Sequence, residues 1–175
     1  MSQRPRILIF TGDGKGKTTA ALGMALRASG HGLRTCVIQF LKSDTSVGEV
    51  MAAADATCIE IHPMGLGFLP PADSPCFAPH RAAAQAALCE AETAVASRRY
   101  GIVVLDEICL AVARGLIQEC QVAELLARAS PEMCLVLTGR EASPALIALA
   151  DTVTEMRSIK HGLQAGRVAQ DGVER

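Results

Sequence analysis

The run Thr11-Gly-Asp-Gly-Lys-Gly-Lys-Thr-Thr19 has the composition of a loop that binds phosphate groups. It follows a short apolar stretch at 7–10 and precedes an alanine-rich stretch with helical spacing. Glycines let consecutive backbone N–H groups turn inward, and the N-terminal end of the following helix attracts the same phosphate oxygens. The run therefore predicts a nucleoside triphosphate as the first ligand to consider.

The generic pattern of such loops, G-x-x-x-x-G-K-[ST], places Thr11 where its first glycine belongs, so this loop is a variant with Gly12 one place late. The alternative is a solvated hairpin turn, which the flanking strand and helix patterns disfavour. We predict that Lys17 contacts phosphate and that Thr18 offers its hydroxyl to Mg²⁺. The predicted nucleotide-binding residues of the loop are Gly12, Asp13, Gly14, Lys15, Gly16, Lys17, Thr18 and Thr19.

Two adjacent carboxylates, Asp106 and Glu107, follow four apolar residues that are typical of a buried central strand. Successive side chains of a strand point to opposite sides, so we expect one to face Mg²⁺ and the other to support the loop. The alternative is a helix N-terminus with stabilising acids. Because a phosphate-binding loop lies in the same chain, we predict Thr18, Asp106 and Glu107 as magnesium ligands.

The elements that position these residues follow from an alternation of short β-branched runs with longer Ala/Leu-rich stretches. This alternation predicts an α/β fold of the P-loop NTPase type, with a mostly parallel sheet of about six strands and helices on both faces. Strands are expected near 6–10, 34–40, 57–61, 101–106, 133–138 and 152–157.

Helices are expected over Lys17–Ser29, over 79–98 and around Val122, Leu125, Leu126 and Ala129. Ser143-Pro144 has the pattern of an N-cap followed by proline at the first helical position. The segments 42–51 and 62–79 are predicted to be long loops, the second because it holds five prolines. If strands 34–40 and 57–61 run parallel to the first strand, both loops emerge beside the phosphate-binding loop.

Length and composition exclude several classes of protein. A chain of 175 residues with 50% hydrophobic residues suits one domain, 1–175. Its net charge of −1 and 3% aromatic content argue against nucleic acid as a partner. The N-terminal segment matches neither a signal peptide nor a membrane span. Seven cysteines without a C-x-x-C pair indicate a reducing compartment, so we predict a cytoplasmic protein, and the four dispersed histidines give no zinc-ligand spacing.

Several motifs taken together resemble one family, the P-loop-type ATP:corrinoid adenosyltransferases of cobalamin biosynthesis and salvage. The resemblance runs from about Arg6 to Glu174. It is carried by TGDGKGKTT, CVIQFLK at 36–42, MGLGF at 64–68, LDE at 105–107, TGR at 138–140, ADTVTEMR at 150–157, Lys160-His161, and the terminal Gly166, Ala169-Gln170 and Gly172 spacing.

The resemblance implies transfer of the 5′-deoxyadenosyl group of ATP to the cobalt of cob(I)alamin or a cob(I)yrinic acid derivative, with release of triphosphate. The loop amides, Lys15, Lys17 and a Mg²⁺ held by Thr18 and Glu107 then stabilise the departing triphosphate. No general base is required. The family also implies a homodimer and an electron donor such as a reduced flavoprotein.

The resemblance further implies that an apolar wedge in the loop 62–71 covers the lower face of the corrin, with Phe68 at the aromatic position. Lys17, Phe68 and Glu107 are thus the predicted catalytic residues. The alternative for Phe68 is a loop anchor in the core. This chain has Pro70 where the family commonly has tryptophan, and Asp13 where it typically has asparagine.

The sequence allows alternative interpretations for four polar residues and for the function. Arg140 follows a predicted strand and either reaches phosphate or forms a surface ion pair. Gln39, Lys42 and Glu49 either line the ATP side of the crevice or are ordinary loop polar residues. A different P-loop kinase or NTPase acting on a small molecule is the first alternative function, and a non-catalytic nucleotide- or corrinoid-binding relative is the second.

Overall fold

Six strands form one all-parallel sheet in the computed structural model, which describes residues 4–160, 162 and 166–173. The order across the sheet is β3-β2-β4-β5-β1-β6. The α/β prediction is confirmed, and each predicted strand is found with its ends shifted by at most two residues. The strands are β1 (Arg6–Thr11), β2 (Thr35–Gln39), β3 (Ile59–Pro63), β4 (Ile102–Asp106), β5 (Cys134–Thr138) and β6 (Thr152–Glu155).

Helices connect these strands and cover both faces of the sheet. The helices among the described residues are α1 (Lys17–Ser29), α2 (Gly48–Ala54), α3 (Phe77–Ser97), α4 (Ile108–Ala113), α5 (Glu119–Arg128) and α6 (Pro144–Leu149). The predicted cap of α6 is confirmed, because the Ser143 hydroxyl accepts a hydrogen bond from the Leu146 N–H at 3.2 Å and Pro144 opens the helix.

Two apolar layers separated by the sheet form the core, because successive side chains of a strand point to opposite faces. On one face, alternate residues of β1, β2, β4 and β5 pack against α3, α4, α5 and α6. On the other face, Val37, Val104 and Val136 pack against Ala21 and Ala28 of α1. Strands buried on both faces explain the continuous apolar runs in the sequence.

The two predicted long loops are each shorter than expected. Helix α2 begins inside the 42–51 segment. None of its residues is buried, so the sequence there has no apolar stripe at helical spacing that would predict a helix. The 62–79 segment loses His62 and Pro63 to β3 and its last three residues to α3. Pro79 lies in the first turn of α3, where a missing backbone N–H costs no helical hydrogen bond.

The carboxyl ends of parallel strands lie at one edge of the sheet, so the loops after β1, β2, β3, β4 and β5 gather there. Among the motif positions, His161 and Glu174 lie outside the described residues. Within the described part of the chain, no helix combines the length and the apolar character that a membrane crossing requires.

Candidate functional site

The loop between β1 and α1 is held in shape by left-handed backbone and by the segment that follows β6. Gly12 has φ of 93°, and a Cβ there would lie 2.4 Å from the carbonyl oxygen of Met156. No other residue fits that position without moving the backbone. The Gly14 N–H donates to the same carbonyl at 2.6 Å. One amide of the predicted phosphate cradle is therefore engaged by the protein itself.

Lys17 is nearly buried, with 8% of its surface exposed, although lysine is rarely buried. Its Nζ donates to the carbonyl oxygens of Gly12 and Gly14, both at 2.7 Å. Burial lowers the pKa of the Lys17 ammonium, while the nearby carboxylate of Glu107 acts in the opposite direction. The charge is thus fixed beside the loop before any ligand arrives.

Asp106, the last residue of β4, is fully buried and joins four elements through its carboxylate. Its Oδ1 accepts hydrogen bonds from the hydroxyls of Thr18 at 2.8 Å and Thr138 at 2.7 Å. Its Oδ2 lies 3.3 Å from both Gln39 Nε2 and Lys42 Nζ. The sequence left Gln39 as either a crevice residue or an ordinary loop polar residue, but it is the last residue of β2, is fully buried and supports Asp106.

Glu107 follows the strand with a left-handed backbone, φ 64°, and caps α4. A helix therefore begins directly after the strand, as the second interpretation of the acidic pair expected, and the role of the pair in binding Mg²⁺ stays a prediction. Strand alternation does not extend to Glu107, because its backbone has left the strand. Burial, followed by the charge of Asp106, raises the pKa of its carboxyl group. Its Oε2 is buried without a hydrogen-bond partner among the described residues.

These oxygen atoms fit a magnesium ion. Mg²⁺ prefers hard oxygen ligands and is usually bound by one or two carboxylates, with water and substrate phosphates completing its shell. The buried Glu107 Oε2 lacks a donor, and Thr18 and Asp106 supply two further oxygens next to each other. The described residues contain no group of three or more His, Cys, Asp or Glu that would hold a metal ion unaided.

A cavity of about 680 Å³ opens over the second half of the loop. The chain after β6 also reaches it, because Lys15 Nζ donates to the Val173 carbonyl at 2.6 Å. No residue pattern predicts the contact between Lys15 and Val173, although the neighbouring Gly172 belongs to the terminal spacing that carries the family resemblance. Gly12, Asp13 and Gly14 are not among its lining residues. The described residues that line this first cavity are Lys15, Gly16, Lys17, Thr18, Thr19, Leu22, Lys42, Gly48, Glu49, Glu107, Gly172 and Val173.

A second cavity, also of about 680 Å³, adjoins the first and shares Lys17, Lys42 and Glu107 with it. It lies between the loops after β2 and β3 and helix α4. Sequence reasoning did not single out the α4 residues, because a six-residue helix gives no clear periodicity. The other described lining residues are Leu41, Ser43, Asp44, Val47, Gly67, Phe68, Leu69, Leu110, Arg114 and Arg140.

Phe68 is fully exposed at the wall of the second cavity, so the alternative in which it anchors the loop in the core is wrong. The loop around it is nevertheless fixed, since Gly65 N–H donates to the Lys42 carbonyl at 2.9 Å and Gly67 N–H to the Leu41 carbonyl at 2.7 Å. Met64 and Leu69 pack against the core on either side. The structure thus presents an aromatic ring to solvent on an anchored loop.

Arg140 lines the second cavity rather than the first. Its Nε lies 3.7 Å from Asp13 Oδ1, and both side chains are largely exposed. Arg140 thus forms an ion pair, which contributes little to stability because it is exposed, and its contact with phosphate stays a prediction. Lys42 and Glu49, in contrast, line the first cavity and pair with each other at 3.3 Å.

Comparison with known proteins gives one consistent result. The family model described as "ATP:corrinoid adenosyltransferase BtuR/CobO/CobP" matches residues 3–175. A corrinoid adenosyltransferase of Pseudomonas aeruginosa is 39% identical over 174 residues, which cover 98% of this chain and 84% of the relative. A corrinoid adenosyltransferase of Escherichia coli K12 is 35% identical over 172 residues, which cover 98% of this chain and 86% of the relative.

The corrinoid adenosyltransferase CobA of Salmonella typhimurium is 34% identical in an alignment of 177 positions that spans 98% of this chain and 86% of the relative. The match thus includes the phosphate-binding loop, the acidic strand end and the Phe68 loop alike. The chain therefore belongs to the ATP:corrinoid adenosyltransferases, transferases of cobalamin metabolism that use ATP and a corrinoid.

Proposed function

We propose that this protein transfers the 5′-deoxyadenosyl group of ATP to the cobalt of a reduced corrinoid across the junction of the two cavities. The observation that carries the proposal is that Lys17, Lys42 and Glu107 line both cavities. The first cavity has the lysines and amides suited to a triphosphate, and the second has the apolar wall suited to a corrin ring. C5′ of an ATP in the first cavity and the cobalt of a corrinoid in the second then meet at the junction of the two cavities.

In the transfer step, the electron pair of cob(I) attacks C5′ of ATP and forms the cobalt–carbon bond. The bond between C5′ and the triphosphate oxygen breaks, and its electron pair leaves with triphosphate. Lys17 and Lys15 stabilise the charge that develops on this leaving group. Because Lys17 is already held by the Gly12 and Gly14 carbonyls, little reorganisation is needed at that moment.

We propose Thr18, Asp106 and Glu107 as the residues that hold Mg²⁺. When bound, the ion neutralises phosphate charge and orients the triphosphate. The Thr18 hydroxyl donates to Asp106 Oδ1, so both oxygens are already adjacent, and the unpartnered Glu107 Oε2 supplies a further acceptor. Lys42 lies 3.3 Å from Asp106 and limits the negative charge of the cluster.

We propose that Phe68 forms the apolar wedge that excludes water and an axial ligand from the lower face of the corrin. Its full exposure supports this role, because Leu41, Leu69 and Leu110 line the same cavity and contiguous apolar surface around a cavity marks a binding site. Removing the axial ligand makes reduction of cob(II) easier. A reduced flavoprotein as electron donor, a homodimer, a single domain and a cytoplasmic location are further predictions of the same reading.

The decisive experiment is anaerobic incubation of the protein with cob(I)alamin, ATP and Mg²⁺. We expect the light-sensitive spectrum of an alkylcobalt product together with intact triphosphate. A kinase or NTPase would instead release or transfer the γ-phosphate. Corrinoid binding without formation of the cobalt–carbon bond would identify a non-catalytic relative, so the two products together separate all three functions.

A further inference from the structure

The rim of the second cavity carries positive charge that the transfer step does not use. Four of its described lining residues are basic and two are acidic. Lys17 is bound to loop carbonyls, and Lys42 is held by Asp106 and Glu49 at 3.3 Å each. Arg114 and Arg140, which are both about half exposed, are the other basic side chains at the rim, and their ion-pair partners, Glu141 and Asp13, do not line the cavity.

The fold fixes Arg114 at this rim through a close contact between α4 and the turn after β5. Gly139 in that turn has φ of 133°, and a Cβ there would lie 2.9 Å from the backbone nitrogen of Leu110. The turn therefore packs directly on α4. Glu141 then lies opposite Arg114 at the end of α4, and its Oε1 is 2.6 Å from Arg114 Nη2. This pair orients the guanidinium without burying it.

We propose that Arg114 makes the protein select corrinoids that carry an anionic substituent outside the ring. The inference rests on the proposed function, in which the second cavity holds the corrin. Leu41, Leu69 and Leu110 supply apolar contacts for the ring, and the guanidinium at the rim meets a substituent at its periphery. Guanidinium groups bind carboxylates and phosphates through two parallel hydrogen bonds, whereas an uncharged amide gains far less from them.

Two parts of a corrinoid offer this anionic chemistry: carboxylates on the ring side chains and the phosphate of the nucleotide tail. Three pre-reduced substrates separate them. Cobyrinic acid a,c-diamide carries carboxylates and no phosphate, cobalamin carries a phosphodiester and amides, and cobinamide carries amides with neither anion. We expect kcat/KM of the unmodified protein to be roughly tenfold higher for at least one anionic substrate than for cobinamide.

Variants test whether Arg114 causes the preference. Arg114→Met keeps an unbranched apolar side chain close in size to the aliphatic stem of arginine but removes its charge, and we expect it to abolish the preference by raising KM for the anionic substrate. Arg114→Lys should keep part of the preference for anionic substrates, because lysine carries the positive charge but lacks the planar guanidinium that forms two parallel hydrogen bonds. Glu141→Gln should preserve or raise the preference for anionic substrates, because the Glu141 carboxylate no longer competes with the substrate for Arg114. Arg128→Met, an exposed arginine on α5 paired with Glu92, is the matched control.

Equal turnover of all three corrinoids by the unmodified protein would overturn the inference and leave the proposed function intact. An anion preference that survives in Arg114→Met would also overturn it, since another group would then be responsible. If no corrinoid gives an alkylcobalt product, the proposed function fails and this inference fails with it. A preference lost only for the carboxylate substrate, or only for the phosphodiester substrate, supports the inference and identifies the anion.

Discussion

The two cavities at the carboxyl edge of the sheet share three residues but are built in opposite ways. The first is organised by buried polar groups, because Lys17 and Asp106 are held by hydrogen bonds within the protein. The second is organised by a backbone anchor that leaves Phe68 entirely exposed. A fixed charged site suits a leaving group whose charge appears during the reaction, whereas an exposed ring suits a surface that the corrinoid itself completes.

The largest effect is expected from Lys17→Ala, which removes the buried charge of the first cavity. We expect adenosylation from pre-reduced cob(I)alamin to fall by about 100-fold to 1,000-fold, because a preorganised donor to the leaving group is lost. Initial rates of alkylcobalt formation measure it. Arg27→Ala on the exposed side of α1 is the control. A variant that retains full activity would show that the phosphate-binding loop does not stabilise triphosphate.

Asp106→Asn tests whether the first cavity is also a structural centre. Lys42 would lose a carboxylate 3.3 Å away, and the amide group would offer one acceptor oxygen instead of two. We expect the free energy of unfolding to fall by about 2 kcal/mol, measured by urea denaturation without nucleotide. Unchanged stability would contradict the view that this network holds the site together.

Phe68→Ala tests whether the exposed ring at the second cavity contributes to turnover rather than to stability. Because the ring is fully exposed, we expect stability to change by less than about 0.5 kcal/mol. We expect turnover from cob(II) with a reductant to fall about tenfold, and turnover from pre-reduced cob(I) to fall much less. Leu66→Ala, another exposed apolar residue of the same loop, is the comparison. Equal losses in the two assays would remove the wedge role.

Glu60→Gln provides a reference at a site that lines neither cavity. The hydrogen bond from the Tyr100 hydroxyl at 2.7 Å, followed by that from Arg34, lowers the pKa of the Glu60 carboxyl. Its contribution is therefore present above the ordinary carboxyl pKa of 4.5 and is lost as the pH falls through the lower folded value.

We expect Glu60→Gln to cost less than about 1 kcal/mol at pH 7, because the ion pairs of Glu60 are exposed. The difference in unfolding free energy between the two proteins should shrink below pH 4.5. Denaturation at several pH values measures it. Adenosylation should be unchanged, and a loss there would show that the two cavities depend on distant parts of the sheet.

Much of the sheet was predictable because its central strands β2, β4 and β5 are buried on both faces, which leaves continuous apolar runs in the sequence. The phosphate-binding loop was predictable because Gly12 and Gly16 mark left-handed backbone, and Lys17-Thr18 follow in a fixed order. Helices α2 and α4 were missed, because a helix of six or seven residues shows too few turns for its period to be read.

The sequence by itself determined the fold class, the place of the glycine-rich loop between β1 and α1, and the family, because these depend on residue order and local periodicity. Only the tertiary structure decided that Asp106 joins Gln39, Lys42 and Thr138, that Val173 reaches Lys15, and that Arg114 stands at the rim beside Glu141. These contacts bring together residues from separate strands and loops. Their distances depend on how parallel strands are ordered across the sheet, and local sequence carries little record of that order.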